Sequence, residues 1–271
     1  MQSTTHLKMN NSTPKYLYKY RPINKHTLNM ILSNEAHFSL PKDFNDPFDC
    51  NIIPELIYTE QEVEAFISSQ RLRPGAEAFQ KELQDLQSDP TGTLDKHFRD
   101  SVNNVRKGVR IFCLSEANDN VMMYSHYADS HRGLCIEFQV QNDPFFELLN
   151  CVSYPEKIPQ VHPFDGDKFR TQAEIVDFEI RTKSISWSYE KEWRIIKQEP
   201  DPSFYNFGPN VLTALIFGFQ TPQEDRFLVE DIVRDRKPSI QLKEAVKIEK
   251  SFNLEIRPCN IQQNRLTSRS S

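Results

Sequence analysis

The sequence predicts an α+β fold, in which strands and helices mix without a regular alternation. Short apolar or alternating runs, such as VRIFCLS at Val109–Ser115, recur along the chain and indicate strands. Amphipathic helical patterns separate these runs, but they show no strand–helix–strand rhythm and no internal repeat. With 271 residues and 38% hydrophobic content, the chain is long enough to bury a substantial core.

The first elements follow from local signals. Alternation in YLYKYR predicts a strand at Tyr16–Arg21, and Asn24 is a suitable cap for the helix that follows it. The Asn45-Asp46-Pro47 sequence predicts a turn, because Asn and Asp bond their own backbone and Pro47 disfavours helix before it. Further strands are expected at 36–40, 109–115, 133–140, 151–154, 185–196 and 211–217, and further helices at 122–128 and after Thr221.

Residues 54–107 differ from the rest of the chain because charged helical patterns dominate them. Thr59-x-x-Glu62 is a capping box that opens the first of these patterns. We therefore predict a helical insertion or lid at 54–107 within a single α+β domain at 15–257. Residues 1–14 are expected to be a disordered leader, and residues 258–271 a flexible basic tail.

Composition excludes several classes of protein. The net charge is −5, but residues 1–34 hold five basic residues and no acid, so only a local basic patch is expected rather than a chain-wide nucleic-acid surface. Five cysteines without a C-x-x-C pair argue against a disulfide framework or a structural zinc site. The apolar runs are too short to cross a bilayer, so we predict a cytoplasmic protein with no membrane partner.

The stretch ISWSYEKEWRII at 185–196 combines the most apolar surface with the most paired charge. Its apolar residues fit both a helical and an alternating period, and its aromatic and β-branched content favours a strand. Read as one strand, it places an aromatic wall against the core and projects Glu190 and Glu192 together from the opposite face. Two carboxylates held that close raise the pKa of one another unless a cation or a ligand intervenes, so they form a candidate site. The competing interpretation is a surface ladder in which Arg194 neutralises both glutamates.

Three other groups of residues are candidates for binding. Lys19 and Arg21 share one face of the first strand and would suit a phosphate or carboxylate, although they can equally be two exposed charges. A second group, Asn45, Asp46 and Asp49, would bind a metal or a ribose, or else form a structural turn. The third group would stack on or hydrogen-bond a planar ligand, or else pack in the core, and consists of Tyr124, Tyr127 and His131.

No metal is predicted. His126 and His131 are five residues apart, so they diverge on a helix, whereas a helical zinc pair needs a spacing of four. Bound phosphate would need side chains or a helix start, since no glycine-rich phosphate loop can be written on this sequence.

The motifs YKYR, HFSLPKDFNDPFDC, IFCLSE, MMYSHYADSHRGLCIEF and WSYEKEWRI together resemble the bacterial family called domain of unknown function 2971. The resemblance extends over about residues 16–219. The family name states no function.

The order of these elements is also similar, more weakly, to that of DarT-like ADP-ribosyltransferases. This resemblance implies a mixed split sheet with NAD bound as substrate in its cleft. It assigns the basic NAD-reading position to Arg21 or Lys19, the hydroxyl position to Ser115, the catalytic position to Glu192 and the upstream acid to Glu190. The first strand departs from the family's pattern, because it has no H-x-T motif.

From this resemblance we expect an NAD-dependent ADP-ribosyltransferase of bacterial toxin or phage-defence type. Its acceptor would be a protein or a nucleic acid, and an inhibitory partner would restrain it. One alternative is a non-catalytic ligand-sensing or partner-binding module that uses the same cleft. The second alternative is a carboxylate and histidine hydrolase or nuclease built around Asp46, Asp49 and His131.

Overall fold

The structure is a computed structural model that describes residues 13–52, 54–71, 80–165, 168–169, 178–198 and 203–259. Its architecture is α+β, as predicted. The chain divides into two compact units, each assembled from separate segments. Unit 1 comprises residues 1–35, 114–147 and 206–271, and unit 2 comprises residues 36–113 and 148–205. The single domain at 15–257 stays a prediction, and most of the proposed leader and tail lies outside the described residues.

The strands, in chain order, are β1 (Tyr16–Arg21), β2 (Glu35–His37), β3 (Glu55–Leu56), β4 (Val109–Ser115), β5 (Leu134–Gln139), β6 (Leu149–Cys151), β7 (Gln160–Val161), β8 (Phe164–Asp165), β9 (Lys168–Phe169), β10 (Glu192–Gln198), β11 (Phe204–Asn206), β12 (Leu212–Phe217), β13 (Gln241–Lys247) and β14 (Leu254–Pro258). The helices are α1 (Lys25–Ser33), α2 (Glu60–Arg71), α3 (Gln80–Ser88), α4 (Pro90–Gly108), α5 (Val121–Tyr127) and α6 (Gln223–Val233). Short 3-10 helices lie at Pro41–Asp43, Pro144–Phe146 and Ile185–Glu190.

Unit 1 contains a mixed sheet with the strand order β14-β13-β12-β5-β1. Strands β12 and β13 run parallel, whereas the other neighbours are antiparallel. Tyr20 of β1 pairs with Cys135 of β5, and Arg21 pairs with Leu134. On the other side of β1 in the same unit, Tyr18 pairs with Ser115, the last residue of β4.

The two faces of this sheet carry different helices. The Tyr20 ring lies edge-on to Tyr124 of α5, so α5 covers the face of Tyr20. Arg226 of α6 lies over the ring of Phe217, which is in the same cross-strand row as Arg21 and Leu134. Because α1 packs against α6, α1 and α6 both belong to the face of Arg21, opposite α5.

Unit 2 contains residues 109–113 of β4, followed in the sheet order by β10 and β6, together with helices α2, α3 and α4. The three helices enclose an apolar cluster with Phe164, and its other buried members are Val63, Ile67, Leu86 and Leu94. The predicted capping box forms at the start of α2, where the Thr59 amide donates to the Glu62 carboxylate at 2.7 Å and the Glu62 amide donates to Thr59 Oγ1 at 3.2 Å. Helices therefore dominate residues 60–108, although the short strand β3 precedes them.

The prediction of one strand over 185–196 is wrong. Ile185–Glu190 is a 3-10 helix capped by the Ser184 side chain, and Lys191 follows with a left-handed φ of 45°. Only then does β10 begin, at Glu192. The aromatic residues that favoured a strand therefore divide, because Trp193 is buried in β10 whereas Trp187 and Tyr189 are half-buried in the 3-10 helix.

No helix in the described ranges is long and apolar enough to cross a membrane.

Candidate functional site

Five charged side chains of unit 2 form a buried group that we call the ionic cluster: Asp49, Lys183, Glu190, Glu192 and Arg194. Their exposed fractions range from 0% for Arg194 to 6% for Glu192. Charged side chains are rarely buried this far unless they are paired, and these five are paired with one another.

Local backbone geometry places the two glutamates together. Glu190 ends the 3-10 helix and Glu192 begins β10, and Lys191 between them has a left-handed backbone conformation. Both carboxylates consequently converge on the ammonium group of Lys183. The sequence predicted this convergence from strand alternation, so the two side chains do meet, but through a different backbone conformation.

Arg194 is the centre of the cluster. Its Nε and Nη2 atoms donate to the two oxygens of Glu192, both at 2.8 Å. Its Nη1 and Nη2 atoms donate to the two oxygens of Asp49 at 2.8 and 2.7 Å, and Nη1 also donates to the Ile180 carbonyl at 2.6 Å. The guanidinium fork therefore binds two carboxylates in bidentate fashion, which fixes both of them firmly.

Lys183 is the second cation. Its Nζ lies 2.6 Å from Glu190 Oε2, 3.3 Å from Asp49 Oδ2 and 3.4 Å from Glu192 Oε2. The same ammonium lies 4.9 Å from the centre of the half-buried Trp187 ring. Lys183 thus links all three carboxylates to an aromatic side chain that solvent can reach.

Contacts within the cluster shift the pKa of Glu192 and of Lys183. Burial alone would raise the pKa of Glu192, but Arg194 and Lys183 outweigh it and lower that pKa to about 2. For Lys183, burial would lower the pKa, and the surrounding carboxylates, led by Glu192, raise it above the usual lysine range instead. Glu192 and Lys183 are therefore both charged at neutral pH.

By formal charge, the cluster holds three carboxylates and two cations, so it carries one negative charge in excess. Polar and aromatic groups border it. The Glu192 amide donates to the Tyr154 hydroxyl at 2.8 Å, and the Trp187 and Tyr189 rings lie 6.0 Å apart. Such a site can attract a cationic group or stabilise positive charge that develops nearby.

Sequence reasoning missed Lys183, Tyr154 and Glu179. Nothing in the local pattern distinguishes Lys183 from a surface lysine, since its partners are set by tertiary structure. Glu179 is 1% exposed, neither of its carboxyl oxygens has a hydrogen-bond partner among the described residues, and burial raises its pKa to about 8 against the opposing effect of Arg106. Its signal would have been a carboxylate between two apolar residues, Phe178 and Ile180.

The predicted turn at Asn45, Asp46 and Asp49 forms, but Asp49 does more than turn the chain. Asp46 accepts from the Phe48 amide at 2.9 Å and its carbonyl accepts from the Asp49 amide at 3.1 Å, so it shapes the turn. Asn45 is exposed. Asp49 is instead a member of the ionic cluster through Arg194, a role that neither of the two interpretations predicted.

The other predicted residues lie in unit 1. Arg21 is half-buried, burial lowers its pKa, and its Nε has no hydrogen-bond partner among the described residues. Lys19 shares its face of β1, as predicted. Ser115 is buried, and its hydroxyl accepts from the Ala117 amide at 3.0 Å. The NAD-reading roles of these three residues stay predictions.

The structure brings together two of the three predicted ring residues. Tyr124 and His131 stack with ring centres 5.7 Å apart and an interplanar angle of 16°. Tyr127 instead lies edge-on to His126 at 6.2 Å. Because Tyr124 contacts Tyr20, the pair of rings lies on the sheet face opposite Arg21.

A metal-assisted hydrolase would need a set of ligands. In the part of the chain that the structure describes, no three His, Cys, Asp or Glu side chains form a group that could hold a metal ion. Asp46 and Asp49 belong to unit 2, whereas His131 belongs to unit 1.

Comparison with known proteins gives a partial match to a family model. Residues 123–195 match the model of a family described as a protein of unknown function, DUF2971. This match supports the family resemblance over a stretch that contains Tyr124, His131 and the whole segment from Lys183 to Arg194. No curated protein matches the chain. No solved structure matches it either.

Proposed function

We propose that this chain is an NAD-dependent ADP-ribosyltransferase whose ionic cluster stabilises the ribosyl cation. The observation that carries the proposal is the composition of the cluster, which holds one more carboxylate than cation in a buried and rigid arrangement. The order of motifs that resembles DarT-like enzymes supports the same function.

Cleavage of the bond between nicotinamide and ribose requires such a site. When the bond between nicotinamide and ribose breaks, its electron pair leaves with nicotinamide and positive charge develops on the ribose carbon. A fixed negative charge facing that carbon stabilises the transition state more than the ground state. Glycosidase carboxylates meet the same requirement. An acceptor nucleophile then forms the new bond to the ribose carbon and loses its proton.

In this proposal Glu192 is the fixed anion and Glu190 orients the acceptor. Arg194 holds both oxygens of Glu192, so the carboxylate cannot turn away from a bound ribose. Trp187 and Tyr189 are half-buried beside Lys183 and Glu190 and offer ring faces for a planar, positively charged nicotinamide.

A non-catalytic ligand-sensing module is the second candidate, and one observation favours it. Both oxygens of Glu192 already accept from Arg194, and Lys183 lies close to one of them, so this carboxylate is well satisfied without a ligand. In that case the cluster would organise unit 2 and a ligand would bind without being converted.

The test combines calorimetric titration of NAD with release of nicotinamide from labelled NAD, in the presence of candidate protein and nucleic-acid acceptors. Glu192→Gln removes one charge and keeps the size of the side chain, so we expect NAD binding to persist while turnover falls by about 100-fold or more. Glu156→Gln, at an exposed glutamate of the same unit, is the matched control and should retain full turnover.

Thermal unfolding of each variant separates a catalytic loss from a folding defect. Binding of NAD without nicotinamide release by the wild-type protein would favour the ligand-sensing module. Failure of the wild-type protein to bind NAD at millimolar concentration would overturn both forms of the proposal that involve NAD.

A further inference from the structure

His131 of unit 1 is held in an unusual backbone conformation. Asp129, Ser130 and His131 are three successive non-glycine residues with positive φ, at 47°, 52° and 70°. Conformations of this kind persist only where the surroundings enforce them, and they concentrate at functional sites.

Hydrogen bonds enforce the conformation from both sides. The His131 amide donates to the Tyr124 carbonyl at 3.1 Å, and the His131 carbonyl accepts from the Gln220 amide at 3.1 Å. A Cβ atom at Gly218 would come within 2.1 Å of that carbonyl oxygen, so only glycine allows the approach. The imidazole is therefore presented by a rigid frame.

The hydrogen bonds of the ring fix its tautomer. Ser125 Oγ lies 2.9 Å from His131 Nε2 and also donates to the Val121 carbonyl at 2.9 Å. A hydroxyl has one proton, so while Ser125 Oγ donates it to the Val121 carbonyl, Nε2 is the donor to Ser125. Burial and the nearby Lys247 lower the pKa of His131, which keeps the ring neutral. Nδ1 consequently carries a lone pair.

This lone pair has no partner. Nδ1 is buried and accepts no hydrogen bond from any residue that the structure describes. His131 is only 7% exposed, so an unsatisfied nitrogen there is costly. A donor from outside the chain would relieve that cost.

The Phe219 ring packs against the imidazole, and Lys247 lies over the Phe219 ring. The half-buried Phe219 ring has its centre 4.5 Å from that of His131. The exposed Lys247 places its ammonium 4.3 Å from the centre of the Phe219 ring. A ligand that reached Nδ1 from this side would meet an aromatic face and a cation.

We propose that His131, Phe219 and Lys247 form a nucleotide-binding site in which His131 Nδ1 accepts an N–H group of the base, Phe219 stacks on the base and Lys247 pairs with the phosphate. A nucleotide is the ligand class that offers a planar ring, an amino donor and an anion together. The site is a property of unit 1 and does not require that the protein converts NAD.

The experiment titrates three probes by calorimetry: AMP, purine riboside 5′-monophosphate, which lacks the amino group, and adenosine, which lacks the phosphate. We expect His131→Phe, which keeps a planar ring, to weaken AMP binding by about tenfold, the loss of one well-made hydrogen bond. The same variant should bind purine riboside 5′-monophosphate as the wild type does. Lys247→Ala should weaken AMP binding and leave adenosine binding unchanged.

His126→Phe is the matched control, because His126 is an exposed histidine of α5, and it should bind AMP normally. If His131→Phe does not fold, nitrogen NMR of the wild-type imidazole decides instead, since AMP should move the resonance of the unprotonated nitrogen. Equal AMP affinity in His131→Phe and wild type, an unmoved resonance at saturating AMP, or no binding of AMP at millimolar concentration would each overturn the proposal.

Discussion

Replacing Arg194 with methionine should be among the most destabilising single changes in unit 2. Methionine fills much of the same volume but removes every donor, so it leaves Asp49 and Glu192 buried without the fork that binds all four of their oxygens. Breaking one partner of a buried ion pair typically costs about 3–5 kcal/mol. Since whole domains are stable by about 5–15 kcal/mol, a loss of this size would be a large fraction of the total.

Urea unfolding followed by tryptophan fluorescence is the appropriate assay. Both tryptophans, Trp187 and Trp193, lie in unit 2, so the signal reports on the unit that contains the substitution. Arg71→Met is the control, because Arg71 is an exposed arginine of the same unit that donates to Gln87, and its unfolding midpoint should match that of the wild type.

A triple variant distinguishes buried charge from lost packing. Adding Asp49→Asn and Glu192→Gln to Arg194→Met removes the two carboxylates that the first change leaves unpaired, so it should recover part of the lost stability. The reasoning would be refuted if Arg194→Met unfolded at the same urea concentration as Arg71→Met. It would be refuted equally if the triple variant were less stable than Arg194→Met.

Two further predictions concern stability. The folded-state pKa of Glu179 is about 8, above its ordinary value of 4.5. Between these two values the native state binds a proton that the unfolded state releases. Stability should therefore fall between about pH 5 and pH 8, by roughly 1 kcal/mol per pH unit from this group. Glu179→Gln should flatten that decline, and an unchanged pH profile would show that the carboxyl is not buried in solution. Gly218→Ala should destabilise unit 1 by about 1–3 kcal/mol, because its Cβ would meet the rigid His131 carbonyl. Gly92→Ala should have a smaller effect, because its Cβ would meet only the end of the Asp89 side chain. Equal midpoints of the two variants in thermal unfolding would contradict the argument.

Elements with strong local signals could be predicted from the sequence. Strand β1 showed clean alternation, and Asn24 caps α1 by accepting from the His26 and Thr27 amides, both at 3.0 Å. Strand β4 formed with the predicted bounds, Val109–Ser115. In each case a few neighbouring residues contain the physical cause, so no knowledge of the tertiary structure is needed.

The prediction of one strand at 185–196 was wrong for an identifiable reason. Its apolar residues fitted both a helical and an alternating period, and aromatic propensity decided for the strand. The left-handed conformation of Lys191, which separates the 3-10 helix from β10, leaves no mark on the sequence because lysine rarely adopts it. Strands β13 and β14 were not predicted at all, since their sequences are polar and alternate weakly.

The ionic cluster was only half predictable. Glu190, Glu192 and Arg194 are close in sequence, so their association could be expected. Lys183 and Asp49 could not be assigned to them, because the contact between Asp49 and Arg194 spans 145 residues. A sequence pattern identifies which charged side chains need partners, but the topology of the chain determines which partners they contact.

The separation of 145 residues between Asp49 and Arg194 has a consequence for synthesis of the chain. A ribosome adds residues from the N-terminus, so Asp49 emerges long before the arginine that will neutralise it. Until then its carboxylate must stay hydrated, which prevents the segment around it from closing over an apolar core. Unit 2 is therefore expected to remain open until Arg194 has left the exit tunnel. A nascent chain arrested before that point should be cut by protease near Asp49, whereas one arrested well after Tyr205 should be protected there.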